Sequence, residues 1–511
     1  MEDIYKKIKP VDELKKIVDD LKSRKKKIVH CHGVFDLIHP GHIRHLAAAK
    51  KEGDVLVVTV TADAFVRKGP GRPIFNEQLR AETLAAISNV DYVCINHAPT
   101  AVNCITELKP DVYVKGQDYE QKEKDLTGKI VEEEEAVKAS GGRIAFTHDI
   151  TFSSSKLINE HLDVFPQKTK QYLKSIAEKY TIDSITDYLK KAKGIKNLVI
   201  GDAIVDQYHY CEPMGRSLKG NIVVNKYISE ESFAGGAFAT ANSTSALCED
   251  VSLLTVIGDE NNQLDFIDAH LNQNIFKKYF FKPETPTTIK RRFIVNDASV
   301  DKKMYEICYM NDEPISKELE NDIADYLDDI ITDFDLIVVS DFGHGFLNKK
   351  LIEIICTKSK FLAINVQTNS ANEGFNLVSK YPKADYVCVD EPEIRLAAHE
   401  KHLELKKVME LISQNHDYKD LMVTRGANGS LFYSKRDGFY ETPALASRVI
   451  DTVGAGDALF AYTAPCMALG MPKELVSFVG NAVGALAVQI VCNREPVNLI
   501  DLIKFMNRLL K

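Results

Sequence analysis

Between residues 28 and 147 five short apolar runs alternate with longer segments of helical character, and this alternation constrains the fold more than any other feature of the chain. The runs are Ile28 to His32, Val55 to Val60, Tyr92 to Ile95, Val112 to Lys115 and Arg143 to Thr147. Helical patterns fill the gaps at His42 to Lys51, Glu77 to Ser88, Ala101 to Leu108 and Lys129 to Ala139. A chain that leaves each strand through a helix and returns as the next strand builds a parallel, doubly wound sheet. One complete α/β domain is therefore expected over residues 1–165. The stretch Phe165-Pro166-Gln167-Lys168-Thr169-Lys170 is polar and broken by proline, which places a linker with a charged helix over 166–196. A second α/β domain is expected over 197–511. It opens with a strand at Asn197 to Gly201, passes through a β-rich section from Tyr208 to Ile228, and continues with strands at Val251 to Ile257, Leu336 to Ser340, Phe361 to Asn365, Tyr386 to Val389 and Leu421 to Thr424.

Bulk electrostatics narrow the chemistry. With 65 basic and 73 acidic residues the net charge is −8, so neither nucleic acid nor an anionic membrane is an expected partner, and any phosphate must be met by local groups. The acidic run Glu132 to Glu135 reads as a solvated helix face. No apolar run reaches membrane-spanning length and the N-terminus lacks the apolar centre of a signal peptide. The ten cysteines show no C-x-x-C pair and read as reduced, buried side chains. A soluble, cytoplasmic protein is expected.

The run His32-Gly33-Val34-Phe35-Asp36-Leu37-Ile38-His39-Pro40-Gly41-His42 follows the first strand and opens the first helix. A strand end feeding a helix start aims backbone N–H groups and the positive end of the helix dipole at one point, which favours phosphate. His39 and His42 share a face, and Gly41 leaves the backbone accessible. Such a site suits attack on the α-phosphorus of a nucleoside triphosphate, where imidazoles and N–H donors meet the charge that grows on the phosphoryl oxygens. A phosphate nucleophile needs no general base. The neighbouring His30, His32 and His45 also leave open a metal site or plain structural roles.

The pattern G-x-F-D-x-x-H-x-G-H resembles the signature of the cytidylyltransferase-like nucleotidyltransferases, here Gly33, Phe35, Asp36, His39, Gly41 and His42. Further stretches resemble the adenylyltransferase half of the bifunctional heptose kinase/adenylyltransferases that make ADP-heptose. They are Lys68 to Pro73, Arg80 ahead of Val90-Asp91-Tyr92-Val93, Leu108 to Tyr119 with Lys115 inside it, and Phe152-Ser153-Ser154-Ser155. The resemblance covers residues 28–160. It implies that His39 and His42 stabilise the transition state, that Lys68 and Arg80 hold phosphates, and that Ser153, Ser154 and Ser155 touch the triphosphate. Lys115 falls among the implied nucleotide-side residues.

Near the other end lies Asp451-Thr452-Val453-Gly454-Ala455-Gly456-Asp457, followed by a long apolar helical pattern. Gly454, Ala455 and Gly456 offer unobstructed N–H groups at that helix start, a place to receive charge on a transferred γ-phosphoryl. Asp457 is then placed to take the proton from an attacking sugar hydroxyl. A tight turn before a buried helix is the plainer alternative. This run resembles the ribokinase/PfkB sugar kinases, as do Gly201-Asp202-x-x-x-Asp206, Phe233-Ala234-Gly235-Gly236-Ala237 and Thr424-Arg425-Gly426-Ala427-Asn428-Gly429. The resemblance, over residues 195–495, implies that Asp202, Asp206, Gly235 and Gly236 hold the sugar, that Thr424, Gly426 and Gly429 serve the nucleotide, and that the section from Tyr208 to Ile228 is a substrate lid.

Three departures bear on substrate. The lid carries Arg216 to Asn221 where heptose kinases carry a proline-rich segment. A D-Y-G-K-G turn reads Asp341-Phe342-Gly343-His344-Gly345, and the N-x-x-E metal and phosphate motif reads Asp390-Glu391-Pro392-Glu393, with Glu393 as the metal-side carboxylate. The domain order is also reversed relative to the bifunctional enzymes. The expected fold is α/β in two domains, an N-terminal Rossmann-like nucleotidyltransferase and a C-terminal ribokinase-like domain with a small β lid. The resemblances imply a bifunctional enzyme that uses ATP and Mg²⁺, with CTP or another triphosphate as the alternative at the N-terminal site, to make a nucleotide-activated sugar. A CTP-dependent enzyme for a polyol phosphate or capsule sugar, or a kinase half kept only for regulation, are the competing readings. The only D-x-D candidate, Asp333-Phe334-Asp335, precedes its strand, so a separate phosphatase is expected between the two steps. Small sugar phosphates and nucleotides are the expected partners, with a homo-oligomer as the expected assembly.

Overall fold

The structure, a computed structural model, describes residues 2–66, 69–117, 129–147, 165–297, 300–372 and 374–511. The chain forms two compact units, one from Met1–Pro166 together with Ile503–Lys511, the other from Gln167–Leu502. The last nine residues thus pack with the first unit, which the run of motifs along the chain gave no reason to expect. The stretch expected as a linker folds as two helices, Gln167–Lys179 and Ile182–Ala192, within the second unit.

In the first unit the strands are β1 (Ile28–Gly33), β2 (Val55–Thr61), β3 (Tyr92–Asn96), β4 (Val112–Gly116) and β5 (Arg143–Thr147). They form one sheet in the order β3-β2-β1-β4-β5, and every pairing is parallel. Alternate residues of each strand point to opposite faces. Val29 and Cys31 of β1 join Leu56, Val58 and Val60 of β2 and Leu84 of the helix Glu77–Ala85 in one core. Ile28, Val55 and Val57 join Leu14 and Val18 of the helix Val11–Ser23 in the other. Burial on both faces explains why these strands read as nearly unbroken apolar runs. Strand β1 sits between β2 and β4, so the chain winds away from it in two directions. That switch point opens a crevice at the strand's C-terminal end.

The second unit contains β6 (Lys196–Gly201), β7 (Ala203–Arg216), β8 (Val223–Gly236), β9 (Asp250–Glu260), β10 (Ile275–Pro286), β11 (Thr288–Asp297), β12 (Val300–Tyr309), β13 (Leu336–Asp341), β14 (Leu362–Val366), β15 (Lys383–Asp390), β16 (Asp417–Thr424), β17 (Ser430–Ser434) and β18 (Gly438–Thr442). Nine of them form a sheet ordered β10-β9-β6-β13-β14-β15-β16-β17-β18. It is parallel from β10 to β16 and antiparallel over the last two pairings. The winding direction reverses between β6 and β13, again creating a crevice at C-terminal strand ends. A second sheet, β12-β11-β7-β8, forms the lid. The sequence pointed only to the section from Tyr208 to Ile228. β11 and β12 escaped notice because Lys290, Arg291, Arg292, Lys302 and Lys303 interrupt the apolar alternation by which a strand is recognised.

Candidate active sites

At the end of β1 the chain turns sharply. Gly33 lies under the Phe35 ring, where a Cβ would come within 3.1 Å of it, and Phe35 itself takes φ +49°. The turn is clamped by Asp36, which accepts a hydrogen bond from Arg72 Nη1 at 2.7 Å and one from the Ile74 amide at 2.6 Å. His39 is the N-cap of the helix Pro40–Lys50, its Nδ1 accepting from the Gly41 amide at 3.1 Å. Because Nδ1 accepts, the proton of the neutral ring sits on Nε2. Burial lowers the His39 pKa and favours that neutral form. The His39 and His42 rings stack with centroids 3.9 Å apart, and Phe35 meets His42 edge-on at 5.4 Å. The structure thus brings Gly33, Phe35, Asp36, His39, Gly41 and His42 into one turn at a helix start.

The remaining expected residues of this site are placed differently. Arg80 is buried, and its guanidinium donates to the carbonyls of Val34, Phe75 and Thr61 and to Asp63. In this arrangement it braces the turn from behind, where the resemblance implied a phosphate ligand. Lys115 lies 2.8 Å from Glu133, which also accepts from the Tyr113 hydroxyl. Lys68, Ser153, Ser154 and Ser155 lie outside the described residues. The other histidines diverge. His30 bonds Thr59 at 2.8 Å, and burial pushes its pKa down to about 3. His32 bonds Thr59 and Thr61, and His45 bonds Thr147 at 2.7 Å. Among the described residues no group of three or more His, Cys, Asp or Glu side chains is arranged to hold a metal. Sequence reasoning missed Arg72 as the partner of Asp36. It also missed Thr59 and Thr61, whose polarity at alternate positions of an otherwise apolar strand is the signal that could have found them.

The second unit holds a cavity of about 1090 Å³ at the C-terminal ends of its parallel strands, at the upper end of the size of small-molecule and cofactor sites. Its walls include Asp206, Gly236, Glu393, Thr424, Gly426, Gly429, Gly454, Ala455, Gly456 and Asp457, all expected from the sequence. Gly454, at φ +79°, is the N-cap of the helix Ala455–Ala468, and Asp457 lies in that helix's first turn. Gln367 Nε2 donates to Asp457 Oδ1 at 2.6 Å. Burial, helped by the nearby Asp206 carboxylate, pushes the Asp457 pKa up to about 7 against the opposing Gln367 bond and Lys290 charge. A base poised at that value is matched to neutral pH.

Asp206 receives Arg292 Nη1 at 2.5 Å, and Arg292 also pairs with Glu306 at 2.7 Å. Gly235 makes room for this carboxylate, since a Cβ there would collide with Asp206 Oδ2. Asp202 departs from the expected sugar contact. It is buried away from the cavity lining and accepts hydrogen bonds from the Phe342 amide at 2.7 Å and the His344 amide at 3.4 Å, so it shapes the turn after β13. The His344 ring is buried in the same turn; burial and the nearby Lys290 charge lower its pKa to about 4 and keep it neutral.

Asp390 and Glu393 form a reciprocal capping box on the helix Glu391–Ala398, so aspartate does there what asparagine would. Glu393 also accepts from the Thr368 amide at 3.1 Å. Burial and the neighbouring Asp390 raise its pKa to about 8. Glu393 and Asp457 therefore line one cavity with their ionised forms disfavoured by desolvation and by neighbouring carboxylates, chiefly Asp390 for Glu393 and Asp206 for Asp457, an environment that a divalent cation relieves. Mg²⁺ would fit there, with Glu393 as the protein carboxylate that could help hold it and nucleotide phosphates and waters supplying the rest. Missed by sequence reasoning were Lys290, Arg292 and Gln367. Lys290 and Arg292 come from β11, which carries no motif, and Gln367 follows β14.

Comparison with known proteins agrees with this division. Residues 30–160 match the cytidylyltransferase-like family, and residues 195–495 match the pfkB family carbohydrate kinases. The chain is 41% identical to the bifunctional protein HldE of Geobacter metallireducens over 159 residues, 31% of this chain and 30% of that one. It is 45% identical to HldE of Campylobacter concisus over 119 residues, 23% and 25% of the two chains. The likeness to these relatives falls in the N-terminal region, and the matches span about a third or less of each relative's length. Among solved structures, phosphofructokinase-2 from Escherichia coli in complex with substrates and products shares the fold with a TM-score of 0.50, 12% identity and coverage of 62% of this chain and all of that one. With more than half of its length matched, the chain belongs to the pfkB family of carbohydrate kinases, joined to a cytidylyltransferase-like unit.

Proposed function

We propose that the protein makes a nucleotide-activated sugar through two separate transfers. In the second unit a sugar hydroxyl attacks the γ-phosphorus of ATP. The new O–P bond forms as the bond to the β-bridging oxygen breaks, ADP leaves, and the hydroxyl proton passes to Asp457. The Gly454 to Gly456 amides receive the charge on the phosphoryl group. Mg²⁺ supplies charge neutralisation on the nucleotide phosphates when bound. In the first unit an oxygen of a sugar 1-phosphate attacks the α-phosphorus of a nucleoside triphosphate and pyrophosphate leaves. His39 Nε2–H and the His42 ring are the donors to the phosphoryl oxygens.

The observation that carries the kinase reading is Asp457, a buried carboxylate raised to about 7 beside a helix-start glycine turn in a large cavity at the C-terminal strand ends. The likeness of the N-terminal region to HldE proteins supports a heptose as the sugar and ATP as the nucleotide for the transferase. The match of residues 30–160 to cytidylyltransferase-like proteins favours CTP as the second reading at that site. Because the kinase makes a 1-phosphate on a sugar already phosphorylated elsewhere, a separate phosphatase would act between the steps. The test is a product screen by mass spectrometry. Heptose 7-phosphate with ATP should give a bisphosphate, and heptose 1-phosphate offered with ATP, CTP, GTP or UTP should give one nucleotide sugar plus pyrophosphate. Turnover of only non-heptose substrates would remove the heptose assignment, and absence of any phosphoryl or nucleotidyl transfer would remove the whole reading.

A further inference from the structure

The segment Ile503–Lys511 lies beyond both family matches and yet packs within the first unit. It is not a loose tail. Phe505 and Met506 are fully buried and Leu509 nearly so. The Phe505 ring rests directly on the backbone of Gly69, where a Cβ would overlap it, and Gly69 takes φ +82°. Only glycine gives both that approach and that dihedral angle without strain. Both residues lie on the helix Leu499–Leu509, and about one turn beyond Phe505, Arg508 is buried with its guanidinium 4.9 Å from the Phe505 ring centroid, its Nη1 donating to the Pro70 carbonyl at 3.3 Å. Arg72, two residues on, reaches Asp36 of the His39 turn at 2.7 Å. The two arginines and Asp36 stand close enough that burial, then Arg72, lowers the Arg508 pKa to about 9.

The loop Gly69–Ile74 is therefore gripped from two sides, by Asp36 on one and by Phe505 and Arg508 on the other. It carries two positive-φ glycines, Gly69 and Gly71, so without such a grip its backbone would sample many states. We propose that Phe505 and Arg508 are positioning residues of the nucleotidyltransferase unit, holding the Gly69–Ile74 loop and, through Arg72 and Asp36, the His39–His42 turn in the conformation that receives the nucleotide. The chain's last nine residues are on this account a working part of the N-terminal site. The inference rests on the nucleotidyltransferase reading for its kinetic consequence, while the grip itself is testable without it.

Loss of a grip and loss of folded protein have different kinetic signatures. If the loop holds its receptive conformation only a fraction of the time, the apparent affinity falls by that fraction, so KM for the nucleotide rises while kcat at saturation changes little. If part of the protein is unfolded, kcat falls and KM stays. Full-length Phe505→Ala and Arg508→Ala variants should each raise KM for the nucleotide about tenfold with kcat within about threefold of the parent. Hydrogen exchange measured without substrate should show faster exchange over 69–74, including the Ile74 amide that donates to Asp36. Sugar phosphorylation in the same preparations should be unchanged. An unchanged KM, whatever kcat does, or unchanged exchange over 69–74, overturns the proposal. A parent protein that transfers no nucleotide at all overturns the nucleotidyltransferase reading instead, and the exchange arm alone then decides whether the helix grips the loop.

Discussion

The Lys303 ammonium lies 2.5 Å from Asp451 Oδ1, joining lid strand β12 to the residue that begins the turn leading to Gly454–Gly456. Asp451 also accepts from the Tyr208 hydroxyl at 2.6 Å, the Cys492 amide at 3.0 Å and the Val453 amide at 3.1 Å. Although burial acts to raise it, the bonds from Lys303 and Tyr208 hold the Asp451 pKa below the usual carboxylate value. One carboxylate thus orients the turn from Val453 onward and ties it to two lid strands. Lys303→Met removes the charged donor and leaves the neutral ones. A charge-assisted hydrogen bond contributes about 1.5–3 kcal/mol, and Lys303 is partly exposed, so the low end applies. Sugar phosphorylation at saturating substrates should fall about tenfold in kcat. An unchanged kcat would show that the tether has no part in shaping the turn.

Asp457 gives two pH signatures of opposite sense. As a base it works ionised, so kinase kcat/KM should rise with pH through about 7 and level off above it. As a buried carboxylate raised above its ordinary value, it makes the folded state bind a proton more tightly than the unfolded chain does, so its contribution to stability diminishes as pH rises from about 4 to about 7. Asp457→Asn mimics the protonated side chain. The variant should lose phosphorylation altogether, yet at pH 8 it should unfold at higher denaturant than the parent, by about 2–4 kcal/mol at most. The difference should vanish near pH 4. A variant with near-normal kcat would remove Asp457 from its role as base.

Both candidate sites were legible because each is written in one short run at a strand-to-helix junction. Gly33 to His42 and Asp451 to Asp457 must supply a tight turn, open amides and their reactive side chains within about ten residues, and that density marks them. What surrounds them was not legible. Arg72 meets Asp36 from 36 positions away, Lys303 meets Asp451 from 148, and Arg508 meets Pro70 from 438. No local spacing encodes such pairs; they exist only once the sheets are assembled. Arg80 and Asp202 show the converse. Each sits inside a family-like stretch, yet the fold turns both inward, Arg80 to three backbone carbonyls and Asp202 to two amides. The parallel strands of the two large sheets were found, except β10, because burial on both faces makes them apolar throughout; β10, interrupted by Lys277, Lys278 and Lys282, and β11 and β12, which carry the lid's charged residues, lack that signature.

His39 has two roles that one substitution separates. Its Nδ1 caps the helix by accepting from the Gly41 amide, and on the proposed function its Nε2–H is the group offered to the phosphoryl oxygens. His39→Asn places a good capping acceptor at the same N-cap but removes the donor at the ring's far side. Nucleotidyl transfer should fall by about 10² or more, the scale of losing one transition-state donor. Stability should change by less than about 1 kcal/mol, and the kinase activity should be unaffected. His39→Ala should lose transfer equally and about 1 kcal/mol of stability besides, measured by denaturant unfolding.

On the proposed function, Lys290 is the residue expected to tell a phosphorylated sugar from a free one. It lines the kinase cavity, is buried, and stands 5.5 Å from the Phe342 ring centroid. The neighbouring Arg292 is neutralised by Asp206 and Glu306, but no described carboxylate lies within ion-pair distance of Lys290. A buried ammonium without a carboxylate is costly unless the ligand supplies the anion. The carboxylate of Asp457 feels this charge without pairing to it. A phosphate on the sugar would satisfy Lys290 and leave Asp457 to act as base. Lys290→Met should therefore raise KM for heptose 7-phosphate about 10- to 100-fold, as expected for losing a hydrogen bond between charged groups, and change KM for the unphosphorylated heptose less than about threefold. The acidic limb of the kinase pH profile should also move to higher pH, because the cation that lowers the Asp457 pKa is gone. Equal changes for the two sugars would show that the phosphate is held elsewhere, with only the pH shift left to Lys290.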